Sequence, residues 1–152
     1  MKKLMLIAIM ITGLFLTVSS ASYAAGLLSL NGNDYAIVAF CANDAGDYCS
    51  QGDVKHDAFT FEDADKFMVD SFGGGVLGVA DSGTFNEDGL SFTASYEVIT
   101  ENSLDKYTFN VKGINLIDTI IVGQMDVTYS QLSISGYDKQ DETKAFFFGA
   151  KK

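Results

Sequence analysis

The chain contains no arginine, no tryptophan and no proline, with one histidine and two cysteines among 152 residues. The missing arginine excludes most. Nucleic-acid binding rests on clustered Lys and Arg that neutralise phosphates, and here 10 basic residues, all lysine, face 20 acidic ones for a formal net charge of −10. The same balance argues against an anionic membrane surface as partner. A single histidine excludes multi-histidine metal centres and leaves little scope for histidine acid–base chemistry. Without tryptophan the chain lacks a ring on which glycosidases stack sugars, although its acids are numerous enough to supply a carboxylate pair. The absence of proline has no physical explanation in the sequence. The length suits one domain.

Short chemical motifs are as scarce. No Gly-x-Ser-x-Gly nucleophile elbow occurs. His56 with Asp57 is the one base beside a carboxylate, but adjacent strand residues point to opposite faces, and Gly52-Asp53-Val54-Lys55-His56-Asp57 reads as a solvated loop. The sequence therefore predicts no enzyme and no catalytic residue. Calcium would need about six to eight oxygens, and the EF-hand spacing is absent. Glu62-Asp63-x-Asp65 and Asn86-Glu87-Asp88 read as solvated turns. No metal and no cofactor is expected.

What is present begins with an export signal. Lys2 and Lys3 form a positive start, residues 4–18 form an apolar run broken by Thr12, Gly13 and Thr17, and Ser22-Tyr23-Ala24 fits the small-x-small rule for signal peptidase. The run falls short of the roughly 20 apolar residues that span a bilayer, and no cysteine follows it closely enough for a lipoprotein box. Residues 1–24 are expected to be removed, leaving residues 25–152 as a single periplasmic or secreted domain. Cys41 and Cys49 flank a polar, Gly-containing turn, and an even cysteine count in an exported protein predicts a disulfide between them. Redox pairs sit as C-x-x-C at a helix start, a spacing these two lack.

The remainder is patterned at period two. Leu90, Phe92, Ala94, Tyr96 and Val98 share one face, and Ser91, Thr93, Ser95 and Glu97 the other. Tyr107, Phe109 and Val111 alternate with Thr108, Asn110 and Lys112, while Ile121, Gly123, Met125, Val127 and Tyr129 alternate with Val122, Gln124, Asp126 and Thr128. Phe59 and Phe61 flank Thr60. Turn chemistry separates the runs at Asn31-Gly32-Asn33-Asp34, Gly73-Gly74-Gly75, Asn86-Glu87-Asp88-Gly89, Glu101-Asn102-Ser103 and Lys112-Gly113, and in a polar loop over 137–143. Residues 62–70 are the one helical candidate, though Phe67 and Val69 fit a strand equally well. Short spacings predict antiparallel neighbours, because a parallel crossover needs about a dozen residues or more. The expected fold is all-β, a single-domain antiparallel meander of 8–9 strands. A closed barrel is preferred over a β-sandwich, since closure removes exposed edges.

From Gly32-x-x-Tyr35 through Phe59-Thr60-Phe61 and Gly83-Thr84-Phe85 to Asp88-Gly89-Leu90-Ser91-Phe92, the order of turns and strands resembles the small bacterial lipocalin-like (calycin) domains. The Gly-x-Trp of that family's first strand is missing. The resemblance implies a cup holding a small apolar ligand.

The 12 Phe and 7 Tyr are a large apolar load. Two readings stand. The barrel interior is filled by its own side chains, or it is a partly open cavity lined by Phe92, Tyr96, Tyr107, Phe109, Met125 and Tyr129, whose hydroxyls would orient a ligand. Gly78 and Gly123 within strands leave room for a bend or a ligand. The leading expectation is an exported, non-catalytic barrel that binds a small apolar or amphipathic molecule. The alternative is a secreted or envelope structural or protein-interaction domain with a filled core. A third reading is a small outer-membrane barrel, whose alternation is the same with apolar residues facing lipid; against it, the chain ends Gly149-Ala150-Lys151-Lys152 and not on an aromatic.

Overall fold

Alternating apolar and polar residues favour half-buried strands, and runs this close in sequence pair with their neighbours. The computed structural model describes residues 29–152 except 47 and 72–77. The expected signal peptide and the Gly73-Gly74-Gly75 turn lie outside these. Eight strands follow one another: β1 (Asn33–Cys41), β2 (Val54–Glu62), β3 (Lys66–Ser71), β4 (Gly78–Asp88), β5 (Ser91–Thr100), β6 (Lys106–Ile117), β7 (Ile120–Ser133) and β8 (Gly136–Lys151). Each pairs antiparallel with the next, and β1 pairs with β8 from Tyr35↔Lys151 to Cys41↔Ala145, so the sheet closes into a barrel. Between β3 and β4, Lys66 is in register with Thr84, and beside that pair the Phe85 N–H donates to the Asp65 carbonyl at 2.9 Å.

Inward positions hold the core. Every strand sends at least one ring inside: Tyr35, Phe59 and Phe61, Phe67, Phe85, Phe92 and Tyr96, Tyr107 and Phe109, Tyr129, and Phe147. The lower half, where β1 begins, is a chain of phenylalanines. Phe61 meets Phe67, Phe85 and Phe92 at centroid distances of 5.2, 5.0 and 5.5 Å, and Phe59 meets Phe147 at 5.1 Å. Edge-to-face rings at such spacings add to the burial of their surface.

Several local expectations needed correction. Residues 62–70 form a turn followed by β3, with Ala64 and Asp65 both at positive φ (64° and 59°), and Phe67 buried inward. Lys112-Gly113 is no reversal but lies within β6, opposite Gly123 of β7. The two glycines form a notch. A Cβ on Gly113 would collide with the Phe92 ring, and one on Gly123 would strike the Lys112 carbonyl and lie 2.8 Å from Phe147. The room left at Gly123 is therefore taken by the protein's own rings. At Gly78 the β4–β5 register shifts, which fits a bend. Residues 137–143 are strand, not loop: β8 pairs with β7 as far as Ser133↔Gly136, and residues 138–142 are exposed on both faces, hence polar, while Thr143 is buried. Leu90 sits in the β4–β5 turn and is 41% exposed, off the face it was assigned to.

The notch is open to test. Gly123→Ala should lower the unfolding free energy by about 1–3 kcal/mol, as overpacking of a filled core does, and a urea midpoint measures it.

Candidate functional site

The loop between β1 and β2 closes the upper end of the barrel. Cys41 and Cys49 are disulfide-bonded with their Cα atoms 6.0 Å apart, the pairing expected from the sequence and one that points to an oxidising, exported compartment. A bond spanning so short a loop removes little chain entropy; its effect is to hold the loop's shape. Backbone bonds do the rest. Ala45 N–H donates to Cys49 O at 2.7 Å, Ala42 N–H to Lys144 O at 2.9 Å, and Asn43 N–H to Thr143 Oγ1 at 3.0 Å, while that hydroxyl donates to Asn43 Oδ1 at 2.9 Å. Gly46, at φ +54°, rests on the Tyr107–Tyr129 pair so closely that a Cβ would lie 2.7 Å from Tyr129 and 2.8 Å from the Tyr107 hydroxyl.

This loop drives Tyr48 down into the barrel. Its ring meets Phe109 edge-on at 5.0 Å and Tyr107 at 6.1 Å, and its hydroxyl donates to Asp57 Oδ2 at 2.5 Å. Asp57 is fully buried, facing inward from β2, whereas His56 is exposed on the outer face. From Val54 onward the stretch read as a solvated loop is therefore strand, and its His and Asp are on opposite sides. Burial pushes the Tyr48 phenol well above its usual pKa, and the Asp57 charge and hydrogen bond push the same way.

The six residues expected to line a cavity all face inward, but they divide into two groups. Tyr96, Tyr107, Phe109 and Tyr129 surround the upper interior: Tyr96 lies 5.9 Å from Phe109, and Tyr107 lies 5.2 Å from Tyr129. Tyr48 packs against two of these rings, Phe109 and Tyr107. Phe92 belongs to the lower phenylalanine cluster, and Met125 is fully buried. Tyr129 reaches the rim, donating its hydroxyl to Asp105 Oδ2 at 3.0 Å and accepting from Gln131 Nε2 at 2.8 Å. Sequence reasoning missed Tyr48 and Asp57. The available signal was an aromatic inside the disulfide loop, one residue before Cys49.

A second plug closes the lower end. Leu30 is fully buried; its N–H donates to Glu87 Oε1 at 2.7 Å, and the Ser29 hydroxyl to Glu87 Oε2 at 3.0 Å. Tyr35 lies above it, its pKa pushed up to about 12 first by burial, then by Asp118 and Glu87. The Asn115 amide, 2% exposed on the inward face of β6, has no hydrogen-bond partner among the described residues, and nothing in the structure explains it.

The outside is two-sided. Over β4, β5 and β6 the outward residues include Thr84, Asn86, Thr93, Ser95, Asn110 and Lys112, which line a shallow depression of about 260 Å³. Over β1, β8 and the start of β7 an apolar patch lies among them, bordered by Asp34, Gln124, Asp126 and Lys144. One row runs Val54, Phe40, Phe146 across paired strands, and the next runs Val38, Phe148, Val122, Ile114. Phe40, Phe146 and Phe148 remain 55%, 57% and 46% exposed. Among the described residues no group of three or more His, Cys, Asp or Glu could hold a metal ion, and no helix is long and apolar enough to cross a membrane.

No family model, curated protein or solved structure matches the chain.

The two buried phenols set an alkaline limit. Both have pKa values above the ordinary 10.0, so their contribution to stability is fully present below pH 10, where folded and unfolded phenols are all protonated. It is lost as pH rises from there through the folded values. Unfolding free energy should hold up to about pH 10 and fall steeply beyond it, with two tyrosines ionising only on unfolding, as phenolate absorbance would record. Tyr48→Phe should cost about 1.5–3 kcal/mol, the range for a hydrogen bond to a charged group.

Proposed function

We propose that the protein is an exported, non-catalytic interaction module of the periplasm or the extracellular space, whose barrel is a filled scaffold and whose outer apolar face meets a protein partner. The observation that carries this reading is the pairing of a ring-filled interior with three half-exposed phenylalanines on neighbouring strands. Soluble monomers rarely expose contiguous apolar patches of more than a few hundred Å² without a use for them. A transmembrane barrel would instead set Glu97 and Lys112 of the polar side into lipid, at about 2–4 kcal/mol for a lysine at mid-membrane.

Native mass spectrometry of the protein purified without detergent tests the filled scaffold. The expected mass is the bare polypeptide less the two hydrogens of the disulfide. A discrete added mass, lost on organic extraction, would overturn the reading.

One feature favours a second reading, the ligand cup implied by the lipocalin-like resemblance. Tyr48 is carried by a loop and not by the barrel wall, so lifting the loop would open a space between Tyr96, Tyr107 and Phe109. On that reading Tyr48→Ala raises the binding of a fluorescent apolar probe, and fatty acids displace it. Equal, weak probe binding by both proteins would eliminate the cup.

A further inference from the structure

Resting on the interaction reading, we infer that the occupant of the apolar face is a second copy of this chain, docked face to face about a two-fold axis. The first argument is area. Seven side chains on or bordering this face, Phe40, Phe146, Phe148, Val54, Ile114, Leu116 and Ile117, are each 45–57% exposed. With a large side chain covering about 150–250 Å², half-exposure gives each roughly 100 Å², so together they offer on the order of 600–700 Å². That exceeds the largest patch of a typical monomer, about 300–600 Å². It approaches the ~800 Å² that each partner buries in a standard interface, and half-buried Val38, Val122 and Ile120 add to it.

The second argument is charge. The chain carries 20 acidic residues, yet none faces outward between Asp34 at the lower rim of β1 and Asp126 on β7. The rim is locally balanced: Asp126 is in register with Lys144 across β7 and β8, and Lys151 Nζ lies 3.3 Å from Asp118 Oδ1. A basic partner would find no acidic complement on this face. A like chain meets neither complement nor repulsion there, and a two-fold axis requires only that the surface match itself. The phenylalanines of β1 and β8 satisfy that condition by stacking on their symmetry mates.

Net charge then fixes the salt dependence. Two molecules of like net charge repel at a distance, and salt screens the repulsion. Added salt should therefore tighten the dimer, whereas it would loosen a complex with a basic protein.

Sedimentation velocity and equilibrium on the purified, oxidised protein test the proposal. The expected result is a concentration-dependent dimer with a micromolar or tighter dissociation constant, tightened by salt. Phe40→Ser with Phe146→Ser should weaken it by about tenfold or more, and Thr93→Lys on the polar side should leave it unchanged. The circular dichroism melt of each variant reports folding. If the phenylalanine pair fails to fold, Phe146→Lys alone takes its place. A wild type that stays monomeric at ~100 μM overturns the second copy, as does a folded phenylalanine variant that dimerises as before. A monomer that floats with phosphatidylcholine vesicles overturns it in favour of a lipid surface. A monomer of bare polypeptide mass removes the second copy alone, and a monomer carrying an extractable small molecule brings down the interaction reading with it.

Discussion

Eight strands closed into a ring enclose an interior of set width, and the rest of this protein follows from the need to fill it. Backbone geometry fixes the diameter, so the filling must come from side-chain volume. Each strand contributes at least one inward ring. Where rings crowd, the wall gives way, and Gly113 and Gly123 face one another across β6 and β7 so that Phe92 and Phe147 can seat. Where strand residues do not suffice, a loop supplies the missing ring. Tyr48 packs into the upper interior against Phe109 and Tyr107, on a loop held by the disulfide and the Thr143–Asn43 bonds, and the buried Asp57 receives its hydroxyl.

Much of the barrel was legible because alternation is a local signal. Phe92, Ala94, Tyr96 and Val98, and Met125 with Val127, took the inward face the pattern assigned them. The errors arose where one residue type serves two physical purposes. Gly113 looked like a turn because glycine tolerates unusual backbone angles, but here it is needed for its missing side chain. Residues 137–143 looked like a loop because they are polar, and most of them are polar because 138–142 meet water on both faces of the strand. Tyr48 and Asp57 were hidden for another reason. Their contact depends on how far a stapled loop folds back over the barrel mouth, and no periodicity reports that.

The outward positions are free of the filling constraint, so their asymmetry has a separate cause. Over β4 to β6 they carry hydroxyls, amides and charges. Over β1, β7 and β8 the same alternation places phenylalanine and valine in water. Neither closure nor core packing calls for that arrangement, and an exposed ring stabilises nothing by itself. The sharpness of the boundary, from Lys112 through Gln124 to Phe146 along one registered row, sets the two sides apart within three strands.

The seam between β1 and β8 has a bearing on the order of events in the cell. It joins the first described strand to the last, and its lowest bond ties the Lys152 N–H to the Asp34 carbonyl. Pairing across so large a sequence separation comes late and slowly, because the loop entropy must be overcome before the contact rewards it. A chain emerging from a ribosome or a translocation pore therefore keeps its barrel open until β8 is free to pair with β1. In a chain whose disulfide points to an oxidising, exported compartment, this delay is useful: the polypeptide remains threadable until β8 has emerged.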